Sequence, residues 1–415
     1  MHSFHIPENK KVRVILSTDA KNEVDDPFAI VHAVLTESFD LRGILSAHFG
    51  TERTDRSEEE SFQEIHKLLK LMNRQDQIPV VHGAASAMSS DPGAPVSNAA
   101  RFLVQEALRE DDRPLYAAFL GPLTDLAEAI RLEPRIQNRL TAIWIGGGNW
   151  PSGGWEYNLK NDVTAADAVF RSSVPLWQIP RNVYRMMPVT FAELCRRVRP
   201  WGPLGQYLYE NVVNFNNADP GRPTEYRILG DSPAVGVILY SDCGQWKWQP
   251  APEFDHTMHY LHTGKNRPIR VYETMDSRFI LEDFYAKLEL YPPAHTGSGK
   301  YFPPFSAKAP GSSASAPFWI PLSSALHPAY RNNQREYRNI HSFPACRSPK
   351  APQRLRHLPF ASEGSSPAEP GLPLPPAFFL KKFFRICHSK PGPLTPLLLG
   401  PLQRFFQNRC FQPAL

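Results

Sequence analysis

The pattern of apolar and polar positions over the first 290 residues predicts repeated strand–helix units. Short continuous apolar runs are typical of buried parallel strands, and apolar positions recurring every three or four residues are typical of helices. The helix predicted over 57–72 shows this recurrence behind a capping box of Ser57 and Glu60. The predicted strands are 12–16, 41–49, 78–84, 115–120, 141–145, 175–179 and 269–272. The predicted helices are 27–35, 57–72, 98–109, 123–131, 163–171, 191–198, 204–216, 233–240 and 278–288. This alternation predicts an α/β fold with an open, mostly parallel sheet flanked by helices.

Carboxylates are concentrated directly after the first predicted strand. Asp19, Glu23, Asp25 and Asp26 lie within eight residues, just before a helix that begins with Pro27. Strand-to-helix loops of open α/β sheets lie at the carboxyl ends of the strands, where ligands bind. Neighbouring carboxylates repel one another unless a proton or a cation relieves them, and oxygen ligands of this kind suit Ca²⁺ or Mg²⁺. Two interpretations remain open, a cation site and a solvated acidic loop.

Later loops at the same predicted edge offer partners for this cluster. The fourth strand ends at Leu120 before a Gly-Pro turn, where a backbone carbonyl could face the cluster. The fifth leads through a glycine-rich segment, 146–154, to Glu156 and Asn158; such a segment could equally be a flexible loop. Asp231 precedes a helix, where it is either a further ligand or a helix cap.

Composition changes sharply near residue 290. Residues 291–415 contain 22 of the 42 prolines, with 15 Lys or Arg, three Glu and no Asp, whereas residues 1–290 carry 31 basic and 38 acidic side chains. Dense prolines interrupt every candidate helix or central strand. We therefore predict one domain over 1–290 and a disordered, basic, Pro-rich tail over 291–415. An altered reading frame or splice choice would also produce such a tail.

Charge and cysteine usage limit the partners and the location. The acidic balance of residues 1–290 argues against nucleic acid as substrate, and the tail lacks the dense Lys/Arg block of a nucleic-acid-binding or membrane-binding segment. Cys195 and Cys243 have no paired spacing, so reduced thiols are expected. The amino terminus shows no apolar signal segment, and no apolar run reaches membrane length. We expect a cytoplasmic protein.

Taken together, these segments resemble the calcium-dependent nucleoside N-ribohydrolases, the inosine/uridine-preferring hydrolase family. That family has an Asp-rich loop after its first strand, a GPLTN-like turn, a GGG run, an E-(F/Y)-N element and an Asp before a late helix. The chain shows all of them in order, including GPLTD at 121–125 and GGG at 146–148. The resemblance implies a Rossmann-like nucleoside hydrolase fold. It also implies hydrolysis of the N-glycosidic bond of ribonucleosides by a calcium-bound water, with release of base and ribose.

The resemblance also assigns roles to individual residues. Asp19, Asp26, Asp231 and the backbone carbonyl of Leu120 would bind Ca²⁺, and Asp19 also lies where the family has its general base. Carboxylates suit this chemistry because an N-glycosidic bond breaks through an oxocarbenium-like state that negative charge stabilises.

By the same resemblance, Asp25, Glu156 and Asn158 would bind the sugar. Several aromatic side chains could stack on a base, although such residues more often pack in the core or at the rim. These candidates are Trp150, Trp155, Tyr157, Trp177 and Tyr184, of which we select Trp155.

Three departures from the family pattern limit what the resemblance implies for the site. The acidic loop is two residues longer, which makes Glu23 either an extra site carboxylate or a loop acid. Many members carry a His before the last calcium Asp, associated with protonating the departing purine, and this chain has Gly230 there. His48, where the family often has Asn, is our substitute acid, with a structural His as the alternative. His82 has the same ambiguity.

The expected partner is therefore a small-molecule nucleoside or riboside, and association into a homo-oligomer is compatible with the sequence. Two alternatives remain open. The longer loop also resembles a branch linked to carbohydrate-active proteins, so another glycoside on the same fold is one of them. The other is a catalytically silent sugar-binding protein, which would retain the cation without turnover.

Overall fold

The computed structural model describes residues 5–91, 93–218 and 224–291; the predicted tail, apart from its first residue, lies outside these ranges. In chain order the strands are β1 (Val12–Thr18), β2 (Phe39–Ser46), β3 (Val80–His82), β4 (Leu115–Phe119), β5 (Thr141–Ile145), β6 (Leu176–Ile179), β7 (Pro188–Thr190), β8 (Tyr226–Ile228), β9 (Trp246–Pro250), β10 (Glu253–Phe254), β11 (Tyr260–Leu261) and β12 (Pro268–Tyr272). The α-helices are α1 (Asp26–Leu35), α2 (Ser57–Leu71), α3 (Asn98–Ala107), α4 (Thr124–Leu132), α5 (Tyr157–Asn161), α6 (Val163–Arg171), α7 (Arg181–Tyr184), α8 (Phe191–Arg197), α9 (Gly202–Ala218), α10 (Ser232–Leu239) and α11 (Ser277–Leu290). Short 3-10 helices cover Glu8–Lys10 and Pro134–Asn138.

Eight strands form the central sheet in the order β3-β2-β1-β4-β5-β6-β12-β9. Every neighbouring pair is parallel except β12 and β9, which are antiparallel. The chain builds the sheet outward from β1 to β3, then returns to place β4 on the other side of β1. The topological switch point therefore lies between β1 and β4, and in open α/β sheets ligands bind in the crevice at such a point.

Each face of the sheet carries its own apolar core. Val14 and Leu16 of β1 belong to a core with α1, α10 and α11, whereas Ile15 belongs to a second core with α3, α4 and α6. Successive side chains of a strand point to opposite faces, so a strand buried on both faces is a continuous apolar run. The predicted open, mostly parallel α/β sheet is confirmed.

Two local predictions are wrong. Helix α2 has Arg56 as its N-cap and no side-chain capping bond, so Ser57 and Glu60 do not form the expected capping box. The Ser57 hydroxyl instead accepts a hydrogen bond from the Phe49 backbone N–H. Strand β2 ends at Ser46, which leaves His48 in the following loop rather than in the strand.

The cysteines and the helix lengths agree with the sequence analysis. Both Cys195 and Cys243 are free thiols. Within the ranges that the structure describes, no helix combines the length and apolar character of a membrane span.

Candidate active site

The acidic loop folds back against the end of β1. Ala20 and Val24 are buried, and the Asn22 backbone N–H donates to the Asp19 carbonyl at 2.7 Å. Asp19 and Asp26 are each only 2% exposed. The solvated-loop interpretation is therefore wrong for these two carboxylates, because apolar neighbours hold them inside the protein.

Asp25, Asp26 and Asp231 converge at the start of two helices. One carboxylate oxygen from each residue lies within 4.8 Å of the corresponding oxygens of the other two. Asp25 and Asp231 occupy the N-cap positions of α1 and α10, yet neither side chain makes a capping bond. The Asp231 side chain therefore belongs to this cluster and does not cap α10. The positive ends of two helix dipoles point at this cluster and favour negative charge there.

Asp19 lies beside the backbone that follows β4. The Leu120 backbone N–H donates to the Ser17 carbonyl at 2.8 Å, which places this turn next to the end of β1. A Cβ on Gly121 would be 3.1 Å from Asp19 Cγ, so a side chain at position 121 would crowd the Asp19 carboxylate. Asp19 Oδ2 is buried and has no hydrogen-bond partner. It is an unsatisfied oxygen in the crevice where a ligand is expected.

Burial of several carboxylates together changes their acid–base properties. Burial and then the charge of Asp26 raise the pKa of Asp19 and of Asp25 well above the usual value. Burial and then the charge of Asp25 do the same to the pKa of Asp231. Burial raises the pKa of Asp26 to about 6, although the hydrogen bond from Thr18 lowers it. The protein therefore provides too little positive charge and too few hydrogen bonds to stabilise all of these carboxylates in their ionised form.

These observations fit a bound divalent cation. The donors are hard oxygens, one buried carboxylate oxygen lacks a partner, and the ionised carboxylates repel one another. Ca²⁺ and Mg²⁺ select such ligands. Glu23 Oε2 forms an ion pair with Arg227 at 3.0 Å, and its negative charge adds to the rise that burial causes in the pKa of Asp25. Its role, as an extra site carboxylate or as a loop acid, stays a prediction.

Glu156 is held rigidly beside this cluster. It is 2% exposed and is the N-cap of α5. Its Oε2 accepts from the backbone N–H groups of Gly147 at 2.9 Å and Leu159 at 3.0 Å, and its Oε1 accepts from the Tyr184 hydroxyl at 3.1 Å. Burial raises the pKa of Glu156, whereas these hydrogen bonds lower it. The carboxylate is thus fixed in orientation before any ligand binds.

Asn158 connects the end of β5 to the turn that follows β4 through hydrogen bonds. Its Nδ2 donates to the Leu120 carbonyl at 2.6 Å and to the Ile145 carbonyl at 2.8 Å. The carbonyl predicted as a cation ligand therefore already accepts one hydrogen bond. A carbonyl oxygen has two lone pairs, so a second interaction is compatible with this contact.

His48 has partners at both ring nitrogens. The side chain is 1% exposed, Nδ1 accepts from the Gly50 backbone N–H at 3.3 Å, and Nε2 is 2.9 Å from Thr124 Oγ1. Thr124 in turn donates to Asp162 at 2.8 Å, which assigns the ring proton to Nε2. Burial lowers the pKa of His48 to about 4. This geometry favours the structural alternative, and a catalytic role for His48 stays a prediction.

Two further candidates from the sequence, His82 and Trp155, each contact a neighbouring aromatic ring. His82 Nδ1 is 3.1 Å from Glu58 Oε1, and its ring stacks on Phe62 with centroids 3.7 Å apart. Trp155 is half-buried on the loop before α5, with its ring centroid 4.7 Å from that of Tyr157. Its contact with a base stays a prediction.

Two contacts at the site were missed from the sequence. Thr18, the last residue of β1, donates to Asp26, and Tyr184 reaches Glu156 through its hydroxyl rather than offering only a ring for stacking. A hydroxyl residue directly before the acidic loop was the available signal for Thr18. Nothing in the local spacing signals the contact between Tyr184 and Glu156, which are 28 positions apart.

The fold and the site define an α/β protein that gathers buried carboxylates at its topological switch point. The chain belongs to the inosine-uridine preferring nucleoside hydrolase family, whose sequence model matches residues 14–279. The resemblance inferred from the sequence motifs is thereby confirmed.

Individual relatives are similar over part of their length. The chain is 28% identical over 177 residues to the pyrimidine-specific ribonucleoside hydrolase RihA of Escherichia coli O1:K1, which is 37% of this chain and 55% of that relative. It is 26% identical over 259 residues to RihA of Salmonella paratyphi A, covering 56% and 78% of the two chains. The chain thus spans about half the length of the first of these curated relatives.

Solved structures share the fold. A plant nucleoside hydrolase, PpNRh1, superposes with a TM-score of 0.55 at 20% identity, covering 67% of this chain and 98% of that one. The purine-preferring ribonucleoside hydrolase from Gardnerella vaginalis gives a TM-score of 0.57 at 18% identity with the same coverage.

Proposed function

We propose that the protein is a calcium-dependent hydrolase of the N-glycosidic bond of ribonucleosides or related ribosides. The observation that carries this proposal is the convergence of Asp25, Asp26 and Asp231 at the switch point between β1 and β4, in a member of this family. The buried Glu156 beside them supports a sugar site, because a fixed carboxylate can accept hydrogen bonds from sugar hydroxyls.

The cation would be held by Asp19, Asp26, Asp231 and the carbonyl of Leu120, all of them hard oxygen donors. When bound, Ca²⁺ would supply a water of lowered pKa and would anchor ribose hydroxyls. The residues that would hold it lie on three segments, which are the acidic loop that leads into α1, the turn after β4 and the loop before α10. The site therefore forms only when the sheet and both helices are in place.

The chain's own groups would carry the proton and stabilise the charge. Asp19 Oδ2, which has no partner within the protein, would accept the proton of the attacking water as that oxygen bonds to the anomeric carbon. Asp25, Glu156 and Asn158 would bind the sugar hydroxyls. Nearby negative charge would stabilise the oxocarbenium-like state as the bond to the base breaks.

The site lacks an evident general acid that could protonate the leaving base. Gly230, directly before Asp231, has no side chain to donate a proton, and the Nε2 proton of His48 faces Thr124. A positioned general acid contributes roughly 100-fold to 10,000-fold in rate. We therefore propose that substrates whose leaving group needs no proton are preferred.

The test is a hydrolysis panel with the full chain, using inosine, uridine and nitrophenyl riboside, with and without a chelator. Both nucleosides are included because the relatives' names divide between pyrimidine-specific and purine-preferring enzymes. We expect nitrophenyl riboside to react roughly 100-fold or more faster than inosine. Chelation should abolish both reactions. Equal rates would show that a leaving-group acid is present after all.

Cation binding is tested separately by metal analysis. Asp26→Ala should lose the Ca²⁺ that the wild type retains, because an incomplete ligand set loses most of its affinity. The exposed Asp55 carries the same charge outside the site, so Asp55→Ala is the control and should retain the ion. Retained Ca²⁺ without hydrolysis of any riboside would support the sugar-binding alternative.

A further inference from the structure

Tyr184, the last residue of α7, spans two parts of the candidate site. Its hydroxyl donates to Glu156 Oε1 at 3.1 Å. At its other side the ring lies against Gly230, where an added Cβ would be 3.1 Å from Tyr184 Cδ2 and 3.2 Å from Asp25 Oδ2. The side chain therefore connects the predicted sugar carboxylate to the edge of the acidic cluster.

The hydrogen bond to Glu156 has a fixed direction. Burial and then the charge of Glu156 raise the pKa of Tyr184 well above the usual value, so the phenol stays protonated and donates. The backbone N–H groups of Gly147 and Leu159 both donate to Oε2 of Glu156, and the backbone of Asn158 also favours the charged form of this carboxylate. The Tyr184 hydroxyl donates to the other oxygen, Oε1, and so helps to fix the plane of the carboxylate.

The ring of Tyr184 takes the space that a side chain at position 230 would need. A Cβ contact of 3.1 Å is tighter than ordinary van der Waals contact, so a side chain there would require the ring or Asp25 to shift by a few tenths of an ångström. Glycine at 230 and the aromatic ring at 184 are therefore complementary in shape.

We propose that Tyr184 is a positioning residue, which orients Glu156 for the sugar through its hydroxyl and keeps that position because its ring fills the space beside Gly230. This inference rests on the proposed function, since the orientation of Glu156 matters to catalysis only if Glu156 binds the sugar.

The test is the kinetics of Tyr184→Phe on nitrophenyl riboside, with the full chain in the presence of Ca²⁺. The variant keeps the ring and loses one hydrogen bond to a carboxylate, so kcat/KM should fall roughly tenfold to 100-fold. Tyr272→Phe is the matched control, because it also removes a buried tyrosine hydroxyl, one that donates to the Ser241 carbonyl at 2.9 Å. The control should lose thermal stability but keep kcat/KM.

A double-mutant cycle separates positioning from a structural role. If Tyr184 acts through Glu156, Tyr184→Phe should cause little further loss of kcat/KM in a Glu156→Gln background. Fully additive losses would overturn the inference, as would a Tyr184→Phe variant that matches the wild type. A wild type that hydrolyses no riboside would instead overturn the proposed function, and this inference with it.

Gly230→Ala provides a second probe that retains the hydroxyl. The added methyl should press on the ring and lower kcat/KM, and the loss should shrink in a Tyr184→Ala background where the space is free. An unchanged kcat/KM in Gly230→Ala would contradict the shape complementarity on which the inference depends.

Discussion

At the scale of single residues, burial acts on the carboxylates and on His48 in opposite directions. It disfavours the charged form of any group, so it raises the pKa of Asp26 to about 6 and lowers that of His48 to about 4. The carboxylates can regain their charge by binding a cation. His48 instead stays neutral and donates to Thr124, which makes its effect on stability measurable.

We expect His48 to make the folded state less stable in acid. Its pKa is about 4 in the folded protein and about 6.5 in the unfolded chain, so the unfolded chain binds more protons between these values. The contribution of His48 is therefore complete above about pH 6.5 and is lost as the pH falls towards 4, by at most about 3 kcal/mol.

The measurement is the free energy of unfolding from denaturant titrations between pH 4 and pH 7. The His48→Gln variant should show a shallower loss of stability in acid than the wild type. The exposed His256 gives the control, His256→Gln, which should follow the wild type. Parallel curves for His48→Gln and wild type would contradict a buried, neutral imidazole.

At the scale of elements, α11 holds α1 in place through a small polar network. His32 Nε2 of α1 lies 2.7 Å from Asp283 Oδ2 of α11, and Lys287 Nζ contacts both Asp283 and Thr36. Because α1 begins at Asp26, this network also supports the acidic cluster at the other end of the helix.

Asp283→Ala should destabilise the protein by about 2 kcal/mol, because it leaves the buried His32 Nε2 without its partner and removes the charged partner of the half-buried Lys287. Urea titration measures the change in the free energy of unfolding. Glu289 lies exposed on the same helix, so Glu289→Ala is the control and should change stability by less than about 0.5 kcal/mol. A similar small effect for Asp283→Ala would show that the network contributes nothing measurable.

Elements with local signals could be predicted, and those that depend on distant partners could not. Strand β5 and helix α6 have the predicted bounds, because a buried apolar run and an amphipathic face are visible in the sequence alone. Strand β9 was missed, because it is only half-buried, contains Lys247 and ends at Pro250, and owes its pairing to β12. Such edge strands carry little local signal.

The same distinction holds at the site. The acidic loop and its position at the carboxyl end of β1 follow from local sequence, and Asp231 was assigned by family resemblance. The hydroxyl contact of Tyr184 with Glu156 depends on the packing of two separate loops, which no spacing in the sequence encodes.

At the scale of the whole molecule, we expect the domain to fold without the Pro-rich tail. Helix α11 ends at Leu290, and Tyr291 donates through its hydroxyl to the Met72 carbonyl. A chain ending at Tyr291 should therefore keep the unfolding temperature of the full chain and any hydrolytic activity. Calorimetry and the nitrophenyl riboside assay check both.

A chain ending at Asp276 is the control for this truncation. It lacks α11 and so exposes the core that Ile280, Phe284 and Leu288 cover, and it should be insoluble or unfolded. If the chain ending at Tyr291 behaved in the same way, residues 292–415 would have to belong to the folded core.

The two outer strands of the central sheet, β3 and β9, determine whether copies of the chain can associate through strand pairing. An unpaired strand edge is a template for strands of other chains, and proteins protect it by making it short or by placing Lys and Pro there. Here β3 has three residues, while β9 presents Lys247 and ends at Pro250. Both margins of the sheet are therefore poor templates for sheet extension. Contact between copies of the chain through the edges of this central sheet is therefore disfavoured, which lowers the tendency of the sheet to aggregate edge to edge at high concentration.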